Sequence, residues 1–435
     1  MTVKDIFETM DYGPAPESAA EALAWLVDMG DRFGHFIDGK FTAPGETFAS
    51  KNPATGEVLA HISQATQADV DAAVRAARKA QAKWAKDAHA RARALYAIAR
   101  LLQKHSRLFA VLETLDNGKP IRETRALDVP LAVRHFYHHA GWAQLQDSEL
   151  SAYKAIGVVG QIIPWNFPLL MVFQSVIPAL VAGNTVLLKP SEETPLVARE
   201  WATVLNEALP PNVLQLVVGD ERQGRALVES PIDLVVFTGS REAGKHILRE
   251  ASGGLKRVML ELGGKDPMVV LDGADLDRAA AFAARNSFRN AGQVCVSTER
   301  IYVESSIADA FTEKLVERAG GMKQGPGMEE GVEVGPMINR RQKDHVLRQI
   351  EAAIKDGATV FHGGEDGGEG NFVPLTVLGD LRHDMDIMSE ETFGPVACVM
   401  SVEHADDAVR LANDSRFGLA ASVWGDPGRA EEVAA

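Results

Sequence analysis

Cys295 is one of only two cysteines in 435 residues, within Asn290-Ala291-Gly292-Gln293-Val294-Cys295-Val296-Ser297-Thr298. A lone thiol is usually an inert, small apolar group. It becomes a nucleophile only as its thiolate, and a free thiol is mostly protonated at neutral pH. Two other stretches give it a chemical context. Glu261-Leu262-Gly263-Gly264-Lys265 places a carboxylate at an expected strand end, followed by glycines that let the backbone turn closely. Pro164-Trp165-Asn166-Phe167-Pro168 holds a side-chain amide rigidly between two prolines. A nucleophile, a carboxylate base and an amide donor are the parts of covalent chemistry on a carbonyl. Val294 and Val296 flank the thiol and are expected to exclude water on two sides. With Met171 and Phe173 they are expected to form an apolar mouth. Cys398, in Val396-Ala397-Cys398-Val399-Met400, reads as a packing group on an apolar strand.

These stretches need elements to carry them. From Gly157 onward strands and helices alternate, which predicts an α/β fold with a parallel sheet covered on both faces. Strands are expected at Ile156–Ile163, Thr185–Leu188, Val213–Val218 and Leu234–Thr238, with a helix at Leu169–Ala182. Gly239-Ser240-Arg241-Glu242-Ala243-Gly244 follows a strand and opens a helix. Its free backbone N–H groups and the Ser240 hydroxyl would suit a pyrophosphate. It is not the G-x-G-x-x-G pattern, so an ordinary β-to-α turn stays equally open. A second α/β unit begins at Gly264, with strands at Pro267–Leu271 and Arg300–Val303 and helices at Asp275–Arg289 and Ile307–Ala319.

Upstream, residues 1–33 read as a polar, helical surface segment, and Phe36–Phe41 as a hairpin on an Asp-Gly turn. A short strand is expected at Val58–Ile62. Thr66 reads as a helix N-cap with Asp69 in the first turn. Helices follow at Ala88–Lys104 and Leu108–Leu115, the latter closing at Asn117-Gly118. His135 and His139 share a helix face, but no third ligand is spaced for zinc, so the pair reads as packing.

The totals exclude several classes. The length implies two or three domains. A net charge of −15 leaves no excess of Lys and Arg for phosphates, which argues against a nucleic-acid partner. Two cysteines make no disulfide framework and the N-terminus has no apolar signal region, so a cytoplasmic location is expected. Residues 155–188 carry no charge, a length that could span a bilayer. They also contain Pro164, Pro168, Pro178 and several amides, which fits a buried parallel sheet and no membrane contact.

The chain resembles the aldehyde dehydrogenase superfamily from about Phe36 onward. The resemblance rests on Pro164–Pro168, Gly183-Asn184-Thr185 with Lys189-Pro190-Ser191-Glu192, Phe237-Thr238-Gly239-Ser240, Glu261–Lys265, Gly292–Cys295 and Glu390-Glu391-Thr392-Phe393-Gly394-Pro395-Val396, in the family's order. It implies the aldehyde dehydrogenase-like fold, a Rossmann-type parallel cofactor sheet plus a second α/β catalytic domain. The expected division is a discontinuous NAD-binding domain (1–138 and 155–263), a shortened connection at 139–154 where an oligomerisation hairpin usually lies, and a catalytic domain at 264–435. The short interval and the unusual start resemble the long, two-module family 16 branch. The last helix, Gly428–Ala435, then reads as the end of a C-terminally truncated fragment.

The resemblance also implies roles. Cys295 attacks an aldehyde, Asn166 and the Cys295 N–H hold the oxyanion, hydride passes to the nicotinamide, and Glu261 activates the water that hydrolyses the thioester. Ile163, Trp165, Gly239 and Ser240 would border the cofactor, Lys189 and Glu192 would hold the adenine ribose, Glu391 the nicotinamide ribose, and Phe393 would pack near the ring. A carboxylate at Glu192 favours NAD, with NADP possible. Without the motif, Glu390 and Glu391 would read as a solvated pair. Relatives commonly have a small residue where Glu221 stands near the adenine end. The expected partner is a small aldehyde, and a homodimer is expected for the full-length protein. A catalytically weak scaffold or binding module keeping the fold is the alternative, and an acylating, coenzyme A-dependent enzyme is a minor one.

Overall fold

A computed structural model of the protein describes residues 18–30 and 32–435. It holds two large sheets and one small one. The first has seven strands, in spatial order Arg257–Glu261, Leu234–Thr238, Val158–Ile162, Thr185–Lys189, Leu214–Leu216, Phe36–Ile37 and Lys40–Phe41. The first five are parallel, and the Phe36–Phe41 hairpin closes one edge antiparallel. Asp38 and Gly39 take positive φ, as the Asp-Gly turn requires. The second sheet has six strands, in order Thr359–His362, Thr376–Gly379, Val396–Val402, Thr298–Glu304, Asp266–Val270 and Ser422–Trp424, all parallel except the first pair. A small sheet joins Arg32–Phe33, Val58–Ser63 and Thr47–Lys51.

The local chemistry explains the elements. Thr66 and Asp69 form a reciprocal capping box on the Gln67–Trp84 helix. Gly118 adopts the left-handed conformation that ends the Ser106–Asn117 helix. The uncharged 155–188 run becomes two fully buried strands, Val158–Ile162 and Thr185–Lys189, around the Pro168–Val181 helix. Among the described residues no helix is long and apolar enough to cross a membrane.

Two expectations need amendment. The 139–154 interval is not mainly a connection, because the Val129–Glu149 helix runs through most of it. Ala132, Phe136, Ala140 and Ala143 lie on one helical face and are buried, which carries the helix onward. Of the 1–33 segment, residues 1–17 and 31 lie outside the described residues. Ala20–Asp28 is helical but does more than cover the surface: Ala22 and Leu26 are buried, and Trp25 Nε1 donates to Glu200 Oε2 at 3.0 Å.

The layout places the site. In the first sheet the chain runs outward from Val158–Ile162 in both directions, so the strand order reverses between Val158–Ile162 and Leu234–Thr238. A crevice forms at the carboxyl ends of strands flanking such a switch. The second sheet turns the amino-terminal ends of its strands toward that crevice, since Cys295 precedes Thr298–Glu304 and Glu391 precedes Val396–Val402.

Candidate active site

A cavity of about 700 Å³ occupies this crevice. Its walls include Ile163, Trp165, Asn166, Lys189, Glu192, Gly239, Ser240, Cys295, Glu391 and Phe393. The structure thus brings together ten of the eleven residues singled out in the sequence. The eleventh, Glu261, is the last residue of the edge strand Arg257–Glu261; it is exposed and does not line the cavity, although the next two residues, Leu262 and Gly263, do. Side chains alternate between the two faces of a strand, and Glu261 shares the exposed face of this one with Arg257 and Met259.

The Cys295 loop is held by backbone geometry. After the Leu276–Phe288 helix, Asn290, Ala291 and Gly292 take positive φ in succession. A Cβ on Gly292 would collide with the Gly394 carbonyl oxygen, so glycine is required there. Gln293 is fully buried and locks the turn: its Nε2 donates to the Asn290 carbonyl at 2.9 Å and its Oε1 accepts from the Ile338 N–H at 2.9 Å. Val294 is buried as expected, but Val296 is 43% exposed, so water is excluded on one side of the thiol only. Of the expected apolar mouth, Met171 lines the cavity; Phe173 instead packs in the core against Phe136 and Trp201.

Asn166 joins the two halves. Its Nδ2 donates to the Gln293 carbonyl at 3.0 Å, and its own carbonyl accepts from Asn290 Nδ2 at 2.9 Å. An amide nitrogen carries two hydrogens, so one remains for a ligand. Trp165 is fixed from below by Asn117 Nδ2, which donates to its carbonyl at 2.7 Å, and its ring meets Phe393 edge-on at 5.4 Å.

The electrostatics oppose ionisation near the thiol. Burial, followed by the nearby carboxylates of Glu391 and Asp266, pushes the Cys295 thiol up, while the backbone N–H groups of Cys295 and Val296 pull the other way. Glu391 is itself pushed up to about 7, chiefly by burial and then by Glu299. Its Oε1 accepts from the Gly264 N–H at 3.2 Å, and a Cβ on Gly263 would overlap its carboxylate. Glu391 is therefore no solvated group. Glu390 comes closer to one: it is half-buried, and its carboxylate pairs with Arg416. Cys398 is buried and its thiol is pushed up to about 12, in keeping with a packing role.

At the other end, Lys189 is buried and its ammonium lies 3.3 Å from Glu192 Oε2. Burial lowers the Lys189 pKa and Glu192 partly offsets it. Ser240 caps the Arg241–Gly253 helix, with Oγ accepting from the Ala243 N–H at 3.3 Å, and Glu221 also faces the cavity. Sequence reasoning missed Gln342 and His345, which line the wall from the Arg340–Lys355 helix. Only their places on a helix crossing the crevice reveal them. Elsewhere, His135 and His139 stack with ring centroids 5.9 Å apart, and no group of three acidic, His or Cys residues among those described could hold a metal.

Comparison with known proteins places this site in a family. The aldehyde dehydrogenase family model matches residues 41–435, and the chain belongs to that family. It is 41% identical over 411 residues to aldehyde dehydrogenase 1A1 of Mesocricetus auratus, covering 89% of this chain and 82% of that protein. The mitochondrial aldehyde dehydrogenase of Leishmania tarentolae is 41% identical over 405 residues, covering 89% of this chain and 81% of that one. Among solved structures, the NAD+ complex of the Bacillus cereus aldehyde dehydrogenase superposes with a TM-score of 0.90 at 38% identity, covering 94% of this chain and 88% of that one. The betaine aldehyde dehydrogenase of Staphylococcus aureus, in complex with NAD+, gives 0.90 at 34% identity, covering 95% and 87%.

Proposed function

We propose that the protein oxidises an aldehyde to a carboxylic acid with NAD, through a thioester on Cys295. The observation that carries this reading is that one cavity has Cys295, Asn166, Lys189 and Glu192 together in its walls. A dinucleotide fits those walls. The Arg241–Gly253 helix starts at the cavity, and its first N–H groups suit a pyrophosphate. Glu192 and Lys189 would hold the adenine ribose, Glu391 the second ribose, and Ile163, Trp165, Gly239 and Phe393 would border the cofactor. On the same reading residues 1–138 and 155–263 form the cofactor unit and 264–435 the catalytic unit.

The steps follow from the side chains. The Cys295 thiol loses its proton to solvent water, and the thiolate Sγ bonds to the aldehyde carbon as the C=O π pair moves onto oxygen, so the carbonyl oxygen becomes an oxyanion. The free Asn166 Nδ2 hydrogen and the Cys295 N–H hold that charge. A bound dinucleotide would supply a hydride acceptor; loss of the hydride from the adduct carbon, as its oxygen re-forms the C=O bond, leaves a thioester on Cys295. Glu261 then takes a proton from water as the water oxygen bonds to the acyl carbon, and the C–S bond breaks to return the thiolate. This role requires the exposed Glu261 side chain to turn toward the cavity that the next two residues, Leu262 and Gly263, already line.

The exposed position of Glu261 also favours a second reading, in which coenzyme A resolves the thioester and no base is needed. NADH formation from aliphatic, aromatic and amino aldehydes, with and without coenzyme A, tests both. Turnover without coenzyme A that yields free acid supports hydrolysis; turnover only with coenzyme A overturns it; and no turnover with any of them supports the scaffold alternative.

NAD is expected to give a higher kcat/KM than NADP, because Glu192 accepts from a 2′-OH and repels a 2′-phosphate. An NADP preference would remove Glu192 from that role. NAD binding is also expected to tighten with pH. If only ionised Glu391 holds the ribose, and its carboxyl titrates at about 7, the Kd falls by about tenfold from pH 6 to pH 8. A flat profile in a fluorescence titration would show that Glu391 does not control affinity.

A further inference from the structure

Glu299 lies four residues beyond Cys295, on the Thr298–Glu304 strand, and is buried. Three donors converge on its carboxylate. Oε2 accepts from Lys265 Nζ at 2.5 Å and from the Thr392 N–H at 2.9 Å, and Oε1 accepts from the Phe393 N–H at 3.0 Å. Lys265 Nζ also donates to Thr392 Oγ1 at 3.1 Å. Lys265 is itself anchored, since its carbonyl accepts from Arg300 Nε at 2.8 Å. Glu299 and Lys265 are thus a buried ion pair whose spare hydrogen-bonding capacity is spent on one loop.

That loop needs support. Residues 391–393 belong to no strand or helix, and Phe393 takes φ +50°, a conformation bulky residues avoid. Such a conformation persists only when its surroundings over-determine it. Gln342 Nε2, which donates to the Phe393 carbonyl at 3.1 Å, braces the other side. The bonds to Glu299 aim the two residues next to Thr392, Glu391 and Phe393, at the cavity.

We propose that Glu299 is a positioning residue for the dinucleotide, acting through the 391–393 loop. This rests on the reading that Glu391 and Phe393 face the cofactor. A role in general stability would weaken every function together. A positioning role weakens NAD binding far more than aldehyde binding, because the hydrogen bonds that hold Asn166 and the Cys295 turn run through Gln293 and Asn290 and not through Glu299. A second readout follows from charge. The charged groups acting on Glu391 are Glu299, Asp266 and Lys265, with the Cys295 thiol also near. Removing the Glu299 charge relieves like-charge repulsion and leaves Lys265 uncompensated, and both lower the pH at which Glu391 ionises.

The experiment measures NAD Kd from pH 6 to 8, aldehyde KM at saturating NAD, and thermal unfolding. The variants are Glu299→Gln, Glu391→Gln and the double variant Lys265→Met/Glu299→Leu, which removes the ion pair without stranding a charge. Glu299→Gln is expected to raise the NAD Kd about tenfold, the size of one charge-assisted hydrogen bond. It should also shift the midpoint of the NAD-binding profile to lower pH, with aldehyde KM within about twofold of the parent. The double variant is expected to show the same loss of NAD affinity, and it decides the matter if Glu299→Gln does not fold. If Glu391→Gln weakens NAD binding and neither Glu299 variant does, the proposal falls and the cofactor reading stands. If Glu391→Gln leaves the Kd unchanged, the assignment of Glu391 to the ribose falls and takes the proposal with it.

Discussion

Replacing Cys295 by alanine is expected to lower aldehyde-dependent NADH formation by about 10⁴-fold or more, while the fold and NAD affinity survive. First, no other residue can take over. The second cysteine, Cys398, is buried in the Val396–Val402 strand, and its thiol is pushed up to about 12. It is therefore neither ionised nor in reach of substrate. Second, the loss of Sγ costs little structurally. Cys295 is only partly buried, and the hydrogen bonds that hold its loop run through Asn290, Gln293 and Gly292. Removing one partly buried sulfur should cost at most about 1 kcal/mol, a shift of a few degrees in Tm. Thiol-directed labelling at the cavity should vanish as well. An alanine variant that still produces NADH at the parent rate would remove Cys295 from the chemistry and, with it, the thioester mechanism.

Asn166→Ala is expected to lower kcat by about 10²–10³-fold, the usual loss for one oxyanion donor. The structure sharpens this expectation. One Nδ2 hydrogen already serves the Gln293 carbonyl at 3.0 Å, so the alanine variant loses a brace along with the free donor. The two contributions separate by measurement. The brace acts on stability, and a lost buried hydrogen bond costs about 1–3 kcal/mol. The donor acts on kcat. The backbone contact survives, because Asn290 Nδ2 donates to the Asn166 carbonyl, not to its side chain. NAD affinity should change little, since the variant leaves Lys189, Glu192 and Glu391 in place. A lower Tm with unchanged kcat would mean that the amide only braces the Cys295 loop.

Much of the fold was legible in the chain because its signals are local. The Thr66 cap, the Asp38-Gly39 turn and the Gly118 stop each follow from side-chain or backbone chemistry within a few residues. The uncharged 155–188 run identified buried parallel strands because such strands are apolar on both faces. The Val129–Glu149 helix was harder to read at its end. Its hydrophobic spacing continues past Tyr137, whereas motif spacing pointed to a short connection there.

The sequence by itself determined which residues could act. Cys295, Asn166, Lys189, Glu192, Gly239, Ser240, Glu391 and Phe393 were named by type and motif, and all of them reach one cavity. Exposure was not determined in this way. Val294 and Val296 look alike in the chain, yet only Val294 is covered, and Phe173 faces the core instead of the mouth. Glu261, named by type and motif like the others, ends the outermost strand of its sheet with its side chain exposed. Tertiary structure alone decided the charge balance: Glu391 lies near Glu299, Asp266 and Cys295, which come from distant parts of the chain. The physical reason is that hydrogen-bonded caps and turns are written within a few neighbouring residues. Burial and electrostatic coupling depend instead on which surfaces meet when the two sheets close on each other.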